Sequence, residues 1–393
     1  MPAAAQEPWL VSVQDAATTL SPDRRTVIAF DLEGRPTSWF TGGATFKRSL
    51  ASEVFGRRSV DGDRRRWRVD QTAADALFDD AIRVAGAARE ASRRGEPLVE
   101  RAQAEKLAAR LETILAWTPA ALAAERGRFL GAYAPISILP PDQYGAVVLQ
   151  ATFGCSWNRC TYCSFYQGRP FQVRPTEAFD AHVDAVSALL GRAAAGRRSV
   201  FLADGNALVL SNERLRPIVE RAGAVFPGRP LAGFVDVFSG ERKPEAAWRE
   251  LRSWGLERVA IGVETGHDPL LAYLDKPGSA DEAATFVTLL KAAGLRVSVI
   301  LMVGVGGRRY AEGHLRDTSA LLARLPLGEG DVVYLSPFVR HDDSAYADRA
   351  AADGLVDLSE AERAEQDAAL RRAARAAVPG ARVARYHIDE FVY

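Results

Sequence analysis

The stretch GAVVLQATFGCSWNRCTYCSFY, residues 145–166, joins a short apolar run to a loop that holds all three cysteines of the 393-residue chain. The run at 145–151 is rich in β-branched residues and predicts a buried strand of a parallel sheet. Four residues separate Cys155 from Cys160, and two separate Cys160 from Cys163. One tight loop at a strand end can therefore present three thiolates to one small object.

Strand and helix patterns alternate on both sides of this loop. Further strands are predicted at 199–204, 231–238, 257–264, 295–304 and 331–338, and helices at 176–196, 212–226, 244–255, 279–294, 311–325 and 359–378. Six strand–helix pairs predict an α/β fold, a partial (β/α)6 TIM-like barrel in which all strands end around one mouth. The cysteine loop, Asp204-Gly205-Asn206, Glu264 and Gly304 all follow or end such strands, so we expect them to lie close together.

The remaining sequence is organised differently. The pattern predicts an N-terminal accessory α+β region at 1–144, the barrel core at 145–340 and a short C-terminal extension at 341–393. Within the first region, 26–40 resembles a hairpin that turns at Glu33-Gly34, and 71–94 and 102–117 have helical periodicity. The basic run at 61–68 is interpreted as a solvated face.

Composition restricts the functional classes. Fifty basic and fifty acidic residues balance, which gives no reason to expect a nucleic-acid partner. No apolar run approaches the roughly 20 residues of a membrane helix, and the N-terminus lacks the pattern of a secretory signal. We therefore expect a cytoplasmic protein without a membrane partner. An odd, clustered set of cysteines argues against a disulfide framework.

Three clustered thiolates fit two kinds of metal site. Structural zinc usually takes four protein ligands, and the chain has no fourth cysteine. A cubane 4Fe–4S cluster has four irons, so three cysteines would leave one iron free to bind another molecule. The barrel context favours the iron–sulfur cluster, while zinc remains the alternative.

The loop CSWNRCTYC (155–163) resembles the signature loop of radical SAM enzymes, with four residues instead of three between the first two cysteines. The resemblance covers about residues 145–338. It implies a 4Fe–4S cluster held by Cys155, Cys160 and Cys163, with S-adenosylmethionine (SAM) bound to the open iron. It also implies a low-potential electron donor of flavodoxin or ferredoxin type, and reductive cleavage of SAM to a 5′-deoxyadenosyl radical.

The same resemblance assigns cofactor-binding roles near the cysteines. Tyr162 matches the family's adenine contact, and the backbone near Phe165 would be a second one. Asp204, Gly205 and Asn206 stand where the family has a turn that receives the methionine amino group. The residue pattern alone is equally compatible with an ordinary strand-to-helix turn at 204–206.

Further roles are implied for the later strands. The segment GLERVAIGVETGHDPLLAYLDKP (255–277) is similar to radical SAM members related to coproporphyrinogen dehydrogenases and methylthiotransferases. Glu264 would bind the ribose hydroxyls or the amino group of SAM, with a structural salt bridge as the alternative. Lys276 would pair with the methionine carboxylate, although a solvated lysine explains it equally well. Gly304, in MVGVGG (302–307), would pack its backbone on adenine.

These observations predict a radical SAM enzyme that acts on a small metabolite or natural-product intermediate. Its catalytic residues towards that substrate are not identified; Asp236 and Tyr334 are candidates to face the cavity, and His267 is expected to begin a helix. One alternative is an RNA-modifying radical SAM enzyme. The other is an iron–sulfur or zinc module without catalytic activity.

Overall fold

The structure is a computed structural model that describes residues 9–60, 63–388 and 393. The described residues form two compact units. The first comprises the residues up to Pro135, Asp184–Arg198 and Tyr393, and the second comprises Ile136–Val183 and the residues from Ser199 to Ile388. These units are groups of residues that lie close together, and they do not test domain boundaries. The division at 1–144, 145–340 and 341–393 therefore stays a prediction.

The first unit contains a seven-stranded antiparallel sheet whose strands follow one another in chain order. They are β1 (Leu10–Val13), β2 (Thr18–Asp23), β3 (Thr26–Phe30), β4 (Pro36–Thr41), β5 (Ala44–Arg48), β6 (Val54–Val60) and β7 (Asp63–Arg68). The predicted hairpin is β3 and β4, and Gly34 at its turn has a φ of 81°, which favours glycine. The basic run largely forms β7, while residues 61 and 62 lie outside the described part.

Three helices follow this sheet: α1 (Gln71–Arg93), α2 (Ala104–Leu115) and α3 (Pro119–Ala132). The first two are the helices predicted from periodicity. Asp70 begins α1 by accepting a hydrogen bond from the backbone N–H of Ala73. The apolar faces of α1 and α2 share a core with the sheet, which includes the buried side chains of Leu20, Trp39 and Leu107.

The second unit is built on seven parallel strands: β8 (Val147–Gln150), β11 (Val200–Ala203), β12 (Leu231–Phe234), β13 (Leu256–Glu264), β14 (Arg296–Val303), β15 (Val332–Pro337) and β16 (Arg382–Arg385). The first six are the predicted strands, in the predicted order, and β16 is an additional parallel partner of β15. A separate two-residue pair, β9 (Thr152–Phe153) and β10 (Gln172–Val173), lies beside the cysteine loop in the sequence.

Helices connect successive strands, as the alternating pattern predicts. They are α4 (Thr176–Leu190), α5 (Asn212–Val225), α6 (Val237–Gly240), α7 (Glu245–Ser253), α8 (Asp268–Tyr273), α9 (Ala280–Ala292), α10 (Gly307–Arg324), α11 (Ala345–Ala352) and α12 (Glu360–Ala377). Ser279 caps α9 through a bond from the N–H of Glu282, and His267 directly precedes α8 as expected. The predicted α/β class with a parallel sheet is confirmed.

Burial of the strands explains their apolar sequence. Every residue of β8 and β11 is buried, as are seven of the eight residues of β14. Strands covered on both faces read as continuous apolar runs. Their parallel order brings their carboxyl ends to one edge of the sheet. Among the described helices, none has both the length and the hydropathy needed to span a bilayer.

Candidate active site

One cavity in the second unit is lined by most of the residues predicted to bind cofactors. The residues that it brings together are Cys155, Cys160, Tyr162, Cys163, Phe165, Gly205, Glu264 and Lys276. The empty volume is about 1050 Å³ and includes space open to solvent. Glu264 ends β13, and the cysteines and Gly205 follow β8 and β11, so the cavity lies where the strand order predicts a site.

The cysteine loop is held in place by hydrogen bonds that do not involve its thiols. The N–H of Thr161 donates to the carbonyl of Leu274 at 2.9 Å. The indole N–H of Trp157 donates to the carbonyl of Asp275 at 2.7 Å. Asn158 has a φ of 50°, and its side-chain amide donates to the carbonyl of Tyr166 at 3.0 Å. These bonds fix the loop that carries the three thiols to the segment after α8.

The thiols themselves are partly buried. Burial raises the pKa of Cys160 to about 12 and also raises the pKa of Cys163 above its usual value. Both thiols are therefore protonated at neutral pH in the protein without metal. A bound metal ion favours the thiolate and displaces the proton, so loading of this loop should release protons.

Glu264 occupies an unusual backbone position. Its φ of 65° lies in the left-handed region, and the pairing of β13 with β14 shifts register between Gly262 and Glu264. A non-glycine residue there carries a conformational cost, and such residues concentrate at functional sites. Asn158 in the cysteine loop and Asp275, which precedes Lys276, also have positive φ values, of 50° and 48°.

The carboxylate of Glu264 joins two buried partners. The phenol of Tyr162 donates to Oε1 at 3.0 Å, and Nζ of Lys276 lies 3.3 Å from the same oxygen. The Lys276 side chain is only 12% exposed. Burial by itself lowers the pKa of Lys276, but Glu264, Cys160, Asp236 and Cys155 together outweigh it and hold that pKa above its usual value. Lys276 is thus a buried cation.

The turn after β11 faces the cavity only through its glycine. A Cβ on Gly205 would lie 2.6 Å from the ring of Tyr166, so the backbone passes close to that ring. Asp204 and Asn206 are buried and do not line the cavity. Asn206 donates to Oγ of Ser156 at 2.6 Å and to the carboxylate of Asp236. Burial raises the pKa of Asp204 to about 6.

The two remaining predicted residues differ in position. Phe165 lines the cavity, and its carbonyl accepts a bond of 3.1 Å from Oγ of Ser137. Gly304 is not among the lining residues, and its N–H donates to Oε1 of Gln366 at 2.7 Å. Of the two substrate-facing candidates, Asp236 lines the cavity, whereas the hydroxyl of Tyr334 donates to Asp142.

A family model described as "Radical SAM superfamily" matches residues 149–317, the part of the chain that contains the cysteine loop and β8 to β14. This segment of the chain is similar to the radical SAM superfamily. This confirms the resemblance drawn from the cysteine loop. The superfamily uses a 4Fe–4S cluster and SAM.

Individual relatives cover only parts of this chain. The heme chaperone HemW of Mycobacterium tuberculosis is 30% identical over 177 residues, which are 42% of this chain and 44% of HemW. The chain therefore spans less than half the length of the curated relative that it matches. Coproporphyrinogen III oxidase HemN from Escherichia coli matches 65% of this chain and 56% of its own, at 14% identity and a TM-score of 0.46. The radical SAM methyltransferase TsrM from Kitasatospora setae matches 52% and 39%, at 17% identity and a TM-score of 0.40.

The cysteines of this chain fit the donor set of a cubane cluster. All three line one cavity, in which Lys276 supplies a buried positive charge beside the thiols. Among the described residues, no three His, Cys, Asp or Glu side chains are arranged to hold a single metal ion. A cubane fits cysteines that share a cavity without converging on one point, because each binds a different iron.

Three polar residues that line the cavity were not identified from the sequence. Ser336, His341 and Tyr386 line it, from the end of β15, the loop after it and the segment after β16. The position of Ser336 at the end of a predicted strand was a usable signal, because side chains at such ends face the mouth. Tyr386 follows a strand that was not predicted, so no comparable signal existed for it.

Proposed function

We propose that this chain is a radical SAM enzyme that binds one 4Fe–4S cluster through Cys155, Cys160 and Cys163 and cleaves SAM reductively to act on a small-molecule substrate. The observation that carries the proposal is the cavity that the three cysteines share with Glu264 and Lys276. The loop that would hold the metal and a buried pair of opposite charges face the same space. SAM requires this arrangement, because its amino and carboxylate groups would bind beside the metal.

The thiolates would bind three of the four irons and leave the fourth for the amino and carboxylate groups of SAM. When bound, the reduced cluster supplies one electron to the sulfonium of SAM, which yields the adenosyl radical that abstracts hydrogen. The chain's own contribution is to fix the ligand loop. The bonds from Thr161 and Trp157 to the segment after α8 do this without using the thiols.

The Glu264–Lys276 pair would hold the polar end of SAM. Glu264 has a second carboxylate oxygen, beyond the Oε1 shared by Tyr162 and Lys276, that can accept from an ammonium or ribose hydroxyl. Lys276 has further N–H donors for the methionine carboxylate. Gly205 allows the backbone to come close to the ligand, and Tyr162 and Phe165 offer surface to adenine. Because these groups are already oriented when SAM binds, they take the place of water molecules that would have to reorient during the reaction.

The reaction also needs one electron from outside the chain. We therefore include a low-potential donor of flavodoxin or ferredoxin type among the partners, together with a small molecule. A cytoplasmic location remains part of the proposal.

Anaerobic loading with iron and sulfide, followed by dithionite and SAM, tests the proposal. We expect about four irons per chain and formation of 5′-deoxyadenosine with release of methionine. The Cys160→Ala variant should lose its iron, and its SAM cleavage activity should fall more than tenfold. Arg159→Ala, which changes an exposed neighbour in the same loop, is the matched control and should keep both.

Other outcomes would identify the alternatives. Zinc in place of iron would indicate a structural metal module. A loaded cluster without 5′-deoxyadenosine would indicate an iron–sulfur carrier. Binding of tRNA that survives moderate salt would indicate an RNA substrate.

A further inference from the structure

The cavity has two chemically different ends. The charged side chains that line it are joined to the cysteine loop: Glu264 accepts from Tyr162 and pairs with Lys276, and Asp236 accepts from Asn206, which also donates to Ser156. A set of apolar lining side chains outside this network is here called the apolar lobe and consists of Ile138, Phe234, Ile300, Val339 and Ile388. Among the described lining residues, the apolar lobe contains no charged side chain.

The side chains of the apolar lobe are well packed. Ile300 and Tyr386 are buried and pack with Ile138, Phe234 and Ile388 in one hydrophobic cluster. The hydroxyl of Tyr386 is already used, because it donates to the carbonyl of Leu139 at 2.7 Å. The wall therefore presents carbon to the cavity.

Two polar residues interrupt this surface. Ser336 is 93% buried and lines the cavity, and in the described part of the chain its hydroxyl has no protein partner. His341 also lines the cavity, and only its backbone carbonyl, which accepts from Ser344, is hydrogen-bonded within the described residues. Both side chains remain available to bond a ligand carbonyl or hydroxyl.

We propose that the apolar lobe binds the substrate, and that the part of the substrate held there is uncharged and rich in hydrocarbon, with a neutral oxygen directed to Ser336 and His341. This inference rests on the proposed function, because it assigns the charged end of the cavity to SAM. A carboxylate or phosphate in the apolar lobe would lose its hydration without gaining a partner, which costs several kcal/mol or more. A carbon-rich substrate also presents C–H bonds in a space that excludes water.

The test uses three planar dyes of similar size with the cluster-loaded protein in the presence of SAM. Nile red is neutral and carries a carbonyl, resorufin is anionic, and cresyl violet is cationic. We expect Nile red to bind with one-to-one stoichiometry and a blue-shifted emission, at least tenfold more tightly than either charged dye.

Two substitutions locate the bound dye. Val339→Asp places a carboxylate in the apolar lobe and should weaken Nile red binding at least tenfold. Val356→Asp is the matched control, because Val356 is 56% exposed and does not line the cavity. Ser336→Ala should weaken Nile red severalfold if the hydroxyl bonds the carbonyl. Far-UV circular dichroism and SAM retention check that each variant is folded.

The proposal is overturned if Nile red does not bind, if a charged dye binds as tightly, or if V339D and V356D behave alike. Equilibrium dialysis with SAM is run on the same samples. Loss of SAM binding with intact dye binding would contradict the proposed function and leave the apolar lobe supported. The reverse result would contradict only the assignment of the lobe.

Discussion

The hydroxyl of Tyr162 donates a 3.0 Å hydrogen bond to Oε1 of Glu264, although the two residues are 102 positions apart in the chain. The bond joins the cysteine loop to the end of β13. Because Glu264 also holds Lys276, a change in any one of these three residues should be felt by the other two.

Tyr162→Phe removes this bond and should lower the free energy of unfolding by about 1.5 kcal/mol, since the acceptor is charged. Iron content should stay unchanged, and SAM should bind several times more weakly because the Glu264 carboxylate is less well fixed. Denaturant unfolding and equilibrium dialysis measure the two effects. In an E264Q background, where the acceptor is a neutral amide oxygen, the same substitution should cost clearly less; an equal cost would show that the negative charge of Glu264 does not strengthen the bond.

The ion pair of Glu264 and Lys276 should be strongly coupled. Their side chains are 10% and 12% exposed, so Lys276→Met or Glu264→Gln leaves one buried charge without its partner. Each single variant should lose about 3 kcal/mol of unfolding free energy, and the double variant should lose less than the sum. Urea unfolding of all four proteins completes the cycle. Additive losses would argue against a buried pair.

Gly205→Ala should destabilise the protein because the new methyl group would lie 2.6 Å from the Tyr166 ring. We expect a loss of about 1–3 kcal/mol, as for other overpacked sites. Gly223→Ala is the control, since it lies within α5 and no atom lies within 4 Å of the added carbon. That variant should gain a fraction of a kcal/mol from helix propensity. Thermal unfolding of the two variants side by side decides whether Gly205 is needed for close approach.

His314 should make stability depend on pH. It is buried, and burial lowers its pKa to about 4. Its Nε2 donates to the carbonyl of Met302, so Nδ1 accepts from Thr265 and the ring is neutral. The unfolded chain binds the proton near pH 6.5, so this contribution is complete above that pH. It falls as the pH drops from about 6.5 to 4, at up to about 1.4 kcal/mol per pH unit.

The measurement for His314 is urea unfolding between pH 4.5 and 7.5, for the native protein and for His314→Gln. The difference between their pH profiles should have the slope given above. His387→Gln changes a half-buried histidine near the C-terminus and should leave the profile unaltered. A parallel pair of profiles for the native protein and H314Q would contradict the role of His314.

The parallel sheet could be predicted because its strands are buried on both faces and leave a continuous apolar signal, as in β14. The strand β16 could not, since its sequence RVAR is short and its end residues are exposed. Most of the antiparallel sheet was missed for the same reason: strands such as β7, with the sequence DRRRWR, carry mostly charged residues. A strand with one polar face has only an alternating apolar signal, which a short sequence does not reveal without knowledge of the neighbouring strands.

The site shows the same division. The cysteines and Glu264 could be placed near one another from strand order alone, and the structure brings them to one cavity. The burial of Lys276 could not be predicted, because it depends on packing of the segment after α8. The bond of Gly304 to Gln366 joins residues 62 positions apart, and no local pattern reveals such a partner. The roles assigned to these residues stay predictions.

The bond between Tyr386 and the carbonyl of Leu139 spans 247 positions and closes the apolar lobe with residues that follow the last parallel strand. During translation the cysteine loop leaves the ribosome long before this wall exists. A nascent chain would therefore expose its three thiols to oxygen and to competing metals until the segment around Tyr386 has been synthesised. A cluster inserted after that point would meet a cavity whose wall is already in place.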